Sequence, residues 1–107
     1  MRAQLKLKSD NFLSPFIFES VEHLDRTFIF NPTLELMPYF DEAGQLYSIE
    51  YPDLEVDVYA STLDQLKLEF SEQIAFLWDN YALADDQELT GAAQRLKRNL
   101  LSALKEI

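Results

Sequence analysis

The sequence predicts an α+β domain, a small antiparallel or mixed β-sheet covered by a long helix and a C-terminal helix. Three patterns predict it. Leu54, Glu55, Val56, Asp57, Val58 and Tyr59 alternate with the period of a half-buried strand. Leu63, Leu66, Phe70, Ile74, Leu77, Trp78 and Tyr81 then recur at three- and four-residue spacings, the stripe of an amphipathic helix. Leu89, Ala93, Leu96, Leu100, Leu104 and Ile107 form a second helical stripe.

With 107 residues, 48% of them hydrophobic, the chain has the composition of a packed globular protein and the length of a single domain, 1–107. A chain of this size buries roughly 60 to 70% of its unfolded surface, enough for one core with little surplus.

Residues 1–32 read as mostly strands. Leu5, Lys6, Leu7 and Lys8 alternate, and Phe16–Phe18 and Phe28–Phe30 are short β-prone runs. The polar stretch Glu19–Thr27 between them reads as a loop or one helical turn. Residues 33–60 read as a hairpin and a third strand. Leu34, Leu36 and Pro38 alternate with Glu35, Met37 and Tyr39, and Pro38, lacking a donor, places this strand on an edge or interrupts it. Asp41, Glu42, Ala43 and Gly44 read as a turn in which Gly44 can take a positive φ. Leu46–Tyr51 is the returning strand. Tyr51, Pro52 and Asp53 make a corner, since the proline pushes Tyr51 toward an extended conformation. In the third strand Leu54, Val56 and Val58 face the core, with Glu55, Asp57 and Tyr59 on the wet side.

The long helix is expected over 62–83, capped by Ser61 or Thr62. At about 30 Å such a helix outreaches the strands beneath it, so part of its stripe must meet something else. The expected contact is the C-terminal helix, 90–107, which follows a hinge at Ala84–Gln87 and has Thr90 as its cap. Arg95, Lys97 and Arg98 lie off its stripe, where they can pair with the acidic long helix.

The formal net charge is -10. Phe12 to Ser61 alone holds ten carboxylates against one cation, Arg26. Such a surface repels phosphate backbones, so no direct nucleic-acid binding is expected. Self-association or a basic protein partner is the expected association. The chain has no cysteine, which excludes disulfides and thiol catalysis. No run is long and apolar enough for a signal or membrane span, and a cytoplasmic location is expected.

Chemistry finds few footholds. His23 is the one histidine, and its neighbours Glu22 and Asp25 do not make a triad, so a solvent-facing loop position is expected. One His without Cys leaves zinc to carboxylates. Asp53, Glu55 and Asp57 would follow one another along a strand face at about 6.6 to 7 Å, too far apart for tight magnesium ligation unless they reach toward one another. Asp85 and Asp86 lack the ligand spacing of a calcium loop, and two glycines, Gly44 and Gly91, cannot build a phosphate loop. No catalytic residue, metal or cofactor is expected. The expected interaction surface is Asp53, Glu55, Asp57 and Tyr59 with Trp78 and Tyr81, the last two as aromatic anchors of a dimer or partner contact.

Tyr51, Pro52, Asp53 and Leu54, followed by Ser61, Thr62, Leu63, Asp64, Gln65 and Leu66, resemble the HicB family of small antitoxin-like domains. The resemblance covers about residues 33–81. It implies a strand entering a Pro-Asp-Leu corner, a second strand, a turn before Thr62, and a long helix in a partial ribonuclease H arrangement. It also implies an antitoxin-like interaction module, here without a DNA-binding tail of its own. Two other readings compete with it. In one, a small-ligand-binding or phage-type accessory domain has a pocket lined by Phe12, Phe16, Phe18, Phe28 and Phe30. The other is a weak hydrolase or nuclease using Asp53, Glu55 and Asp57.

Overall fold

Residues 13–107 are described in the computed structural model, and the first to pair are Phe16–His23 (β1) and Arg26–Leu36 (β2). The Leu5–Lys8 strand and Phe12 lie outside the described residues. The stretch Glu19–Thr27 is strand nearly throughout, contrary to expectation, because Val21 and Phe28 form a cross-strand pair that buries both. Only Leu24 and Asp25 turn. Between them the strands break phase. Phe18 faces Leu34 while Ser20 faces Ile29, so Phe30, Asn31, Pro32 and Thr33 bulge opposite Glu19. The bulge keeps Phe16, Phe18 and Val21 on one buried side although 18 and 21 differ in parity. Pro32, joined to Asn31 by a cis peptide bond, sits where the ladder needs no donor.

As the alternation predicts, Leu34 and Leu36 are half-buried and Pro38 is buried, with Glu35, Met37 and Tyr39 exposed. Pro38 interrupts the chain before Tyr39–Asp41 (β3), and Leu46–Tyr51 (β4) returns beside it. The turn between them differs from expectation. Gln45, not Gly44, takes the positive φ, at 57°. Gly44 matters through close approach, since a Cβ there would stand 2.9 Å from Asp41 Oδ2. The other Asp41 oxygen accepts from the Ala43 N–H at 3.2 Å and holds the turn.

The corner is a single 3-10 turn, Pro52–Leu54, closed by Glu55 at φ 56° with its N–H on the Pro52 carbonyl at 3.0 Å. The third strand therefore begins at Val56, not Leu54, and runs to Ala60 (β5). Leu54 is fully buried all the same, from the turn. Two antiparallel sheets result, β1–β2 with a late third strand and β3–β4–β5.

Thr62 caps the long helix, its hydroxyl accepting from the Gln65 N–H at 3.0 Å. The helix, α1 (Leu63–Leu77), continues through one π turn (Trp78–Ala82). Leu66, Phe70 and Ile74 are fully buried, and Leu77 and Trp78 nearly so. The stripe lies across β4 and β5 on one side and β1 on the other. Phe70 stacks on Phe18 at 4.7 Å, and Trp78 meets Phe28 edge-on at 5.9 Å. Phe16, Phe18, Phe28 and Phe30 are thus buried in the core; where they border surface depressions they do so in two separate ones, Phe16 and Phe18 in one and Phe30 in another.

Thr90 caps the C-terminal helix, α2 (Gly91–Ala103). As the excess length of α1 requires, α2 packs on the π turn, and it also touches the Pro52–Leu54 corner, where Asn99 donates to the Asp53 carbonyl at 3.0 Å. The expected continuation to Ile107 fails. Leu104–Glu106 is a strand (β6) paired with the outer edge of β2, Leu104 opposite Phe30 and Glu106 opposite Phe28. An edge strand in need of partners competes with one more helical turn, and pairing buries Leu104 while Ile107 stays 69% exposed.

The cations differ from expectation in their partners. Lys97 binds the hinge, at the Ala84 carbonyl and at Asp86 (3.0 Å). Arg95 and Arg98 form no ion pair with α1 among the described residues. Arg26 is the cation that holds α1. Its guanidinium grips Asp79 of the π turn at 2.7 and 2.9 Å and Glu106 of β6 at 2.9 and 3.1 Å, fastening β2, α1 and β6 together. No helix among the described residues is long and apolar enough to cross a membrane.

Leu24 is 85% exposed at φ 58°, a conformation that strains any side chain and gains nothing from burial here. Leu24→Gly is expected to raise unfolding free energy by roughly 0.5 to 1 kcal/mol in urea titration, after the added freedom of glycine in the unfolded chain is offset.

Hydrogen bonds from Arg26 hold both Asp79 and Glu106 below their ordinary values of 3.8 and 4.5. Folded carboxylates with depressed pKa bind protons less readily than unfolded ones. Their stabilising effect is therefore present above the ordinary carboxylate range and lost as pH falls through the depressed values. Wild type is expected to lose stability more steeply than Arg26→Met between about pH 5 and pH 2, followed by urea unfolding at each pH.

Candidate functional site

The inner face of β3–β4–β5 is covered by α1, and strand alternation sends every second residue to the other side. On β4 that side carries Leu46, Ser48 and Glu50, flanked by Tyr39 and Asp41 of β3 and by Asp57 and Tyr59 of β5. Nothing among the described residues covers this face. Tyr39 is 65% and Tyr59 55% exposed, and Met37, beside them, is 61% exposed.

Register arranges these residues in rows. Ser48 stands directly between Tyr39 and Tyr59. One row along, Glu50 stands opposite Asp57. Adjacent strands are about 4.8 Å apart, so the two tyrosines rise about 10 Å from each other with a small residue between. Met37, Tyr39, Ser48 and Glu50 line a shallow depression of about 340 Å³. The Tyr59 hydroxyl donates to Asp57 Oδ2 at 3.1 Å, and this bond to a carboxylate pushes the Tyr59 phenol above its ordinary value.

The six residues singled out from sequence separate. Asp57 and Tyr59 belong to the open face. Asp53 and Glu55 are exposed, but the 3-10 turn and the left-handed Glu55 take them off the strand, so the three acids do not share a face. Trp78 is only 7% exposed against Phe28 and is core in the isolated chain. Tyr81 is half-buried and packed against the same core. His23 is the last residue of β1 and is half-buried, where a solvent-facing loop position was expected. Among the described residues no three His, Cys, Asp or Glu side chains gather where they could hold a metal ion.

Sequence reasoning missed Met37, Tyr39, Ser48 and Glu50 as site residues. The alternation that put Tyr39 opposite the Leu34, Leu36 and Pro38 side was visible. The row Tyr39–Ser48–Tyr59 was not, because it depends on the pairing register of three strands. No family model, curated protein or solved structure matches this chain.

The opposed carboxylates Glu50 and Asp57 repel one another across the ladder, and like charges so placed destabilise a sheet. Glu50→Gln is expected to raise the stability of the free chain by about 0.2 to 1 kcal/mol, read as a shift in urea midpoint at low salt. Asp57→Asn is expected to gain less, because Tyr59 loses its charged acceptor; the phenol titration, followed by ultraviolet absorbance, moves down toward the ordinary tyrosine value.

Proposed function

We propose that the chain is a non-enzymatic protein-interaction module that docks a basic partner on the outer face of β3–β4–β5. One observation carries the reading: an uncovered sheet face on which Tyr39, Tyr59, Met37 and Leu46 are exposed together and rimmed by Asp41, Glu50 and Asp57. Tyrosine and methionine are enriched at the centres of protein interfaces, with charge at the rim. The surrounding charge selects the sign of the partner. A second copy docked face to face would bring these carboxylates against their own kind, so a basic partner is favoured over self-association through this surface.

An antitoxin-like role, in which this face covers a basic protein, is the finer form of the proposal. It is supported by the order of elements that the HicB-like resemblance implies: β4, the Pro52–Asp53–Leu54 corner, β5, the Thr62 cap and α1.

The full chain, immobilised and exposed to native lysate at low salt, is expected to retain a basic protein that elutes with increasing salt. The double charge reversal Glu50→Lys with Asp57→Lys is expected to lose it while keeping a cooperative unfolding transition. Retention of the same protein by the reversed variant removes this face from the proposal, and a partner that is acidic or absent overturns the reading.

A further inference from the structure

We infer that Tyr39, Ser48 and Tyr59 form a seat for a single cationic side chain of the partner, and that arginine is the residue it fits. The inference rests on the docking face proposed above and adds the chemistry of what it holds.

Ser48 is the reason a seat exists. It is the small member of a row whose outer members are both exposed tyrosines, so a low position lies between two large ones. Two interstrand spacings separate the walls by about 10 Å at their bases. A flat group in van der Waals contact with a ring on each side needs about 7 Å between ring planes, so a modest inward lean of the two exposed rings closes on it. Tyr39 and Tyr59 are more than half exposed, so neither ring is pinned by core packing.

The next row supplies charge. Glu50 and Asp57 stand opposite one another one step along the strands from the seat, and like charges so opposed cost stability in the empty protein. A cation reaching past Ser48 relieves that repulsion. The Tyr59 hydroxyl already bonds to Asp57, which ties one wall of the seat to the carboxylate at its end.

Those two demands, a flat body between rings and a cationic head at two carboxylates, select among side chains. Guanidinium is planar, stacks on aromatic faces, is weakly hydrated and presents a fork of donors to carboxylate oxygens. The lysine ammonium is compact and strongly hydrated and satisfies only the second demand. A neutral flat group satisfies only the first.

The test is nitrogen-15 NMR titration of the full chain with three capped peptides, acetyl-Gly-Arg-Gly-amide and its lysine and citrulline analogues. The arginine peptide is expected to shift the Tyr39, Ser48, Glu50, Asp57 and Tyr59 amides along one saturable curve. The lysine peptide is expected to bind about threefold more weakly, and citrulline, flat but uncharged, about tenfold more weakly. Tyr39→Ala and Tyr59→Ala are expected each to weaken the arginine peptide by about three- to tenfold while each variant keeps a cooperative unfolding transition and the dispersed amide spectrum of the folded chain. Ser48→Phe, which fills the floor, is expected to abolish the effect.

Equal binding of the three peptides overturns the inference, as do shifts that fail to saturate or scatter over distant acids such as Glu19 and Glu72. The two readings fail separately. Capture of a basic protein that is lost on charge reversal, with no arginine selectivity, sinks the seat and leaves the docking face. Arginine selectivity without any captured partner does the reverse.

Discussion

The fold depends on the burial of one helical stripe between two sheets. A sheet as small as these depends on burying its one apolar face, here against a helix. Here neither sheet covers the other, and the cover for both is α1, through Leu66, Phe70 and Ile74. Phe70 is the joint, stacked on Phe18 of the first sheet on a helix that also lies along β5 of the second. A single helix can cover only the face turned toward it. The outer face of β3–β4–β5 is open for that reason, and its chemistry is free to be set by something other than packing.

Cations are scarce, and the described ones with clear partners work for the fold. Arg26 joins β2, the π turn and β6; Lys97 fastens the hinge; Lys67 lies over the Phe16 ring at 4.9 Å. None of these sits on the open face. The carboxylates rimming it, Asp41, Glu50 and Asp57, form no ion pair with a described lysine or arginine.

Much of this was legible in the sequence, where local pattern decides structure. The α1 stripe, the Thr62 and Thr90 caps, the inward Leu54, Val56 and Val58, and the interruption at Pro38 follow from spacing and from single-residue chemistry. Two segments were misread because they satisfy two patterns at once. Leu100, Leu104 and Ile107 fit a helix, yet Leu104, Lys105 and Glu106 also alternate as a strand, and the free edge of β2 decides between them. Glu19–Thr27 is polar as a loop would be, yet Val21 and Phe28 pair across the strands and both enter the core, which a hairpin allows. Trp78 was ambiguous for the opposite reason: an aromatic on a stripe is core or interface depending on what stands across from it, and Phe28 does. The site itself was the least legible part. Asp57 and Tyr59 could be placed on a wet face from alternation, but their neighbours Ser48, Glu50 and Tyr39 come from other strands, and only register brings them alongside.

On the proposed docking face, two kinds of interaction would act at different stages of an encounter. Carboxylates act over distances set by the Debye length, about 8 Å at physiological ionic strength, and so govern how often a basic surface arrives and in what orientation. Tyrosine rings act only in contact, where they add area at little conformational cost, and so govern how long it stays. A purely acidic face would attract any polycation and hold none. A purely aromatic one would be an aggregation hazard on a chain with little surplus core. With Ser48 between Tyr39 and Tyr59 and with Glu50 and Asp57 one row away, the proposed seat would make the second interaction conditional on the first: the rings would sandwich only a side chain whose charge the adjacent carboxylates already favour.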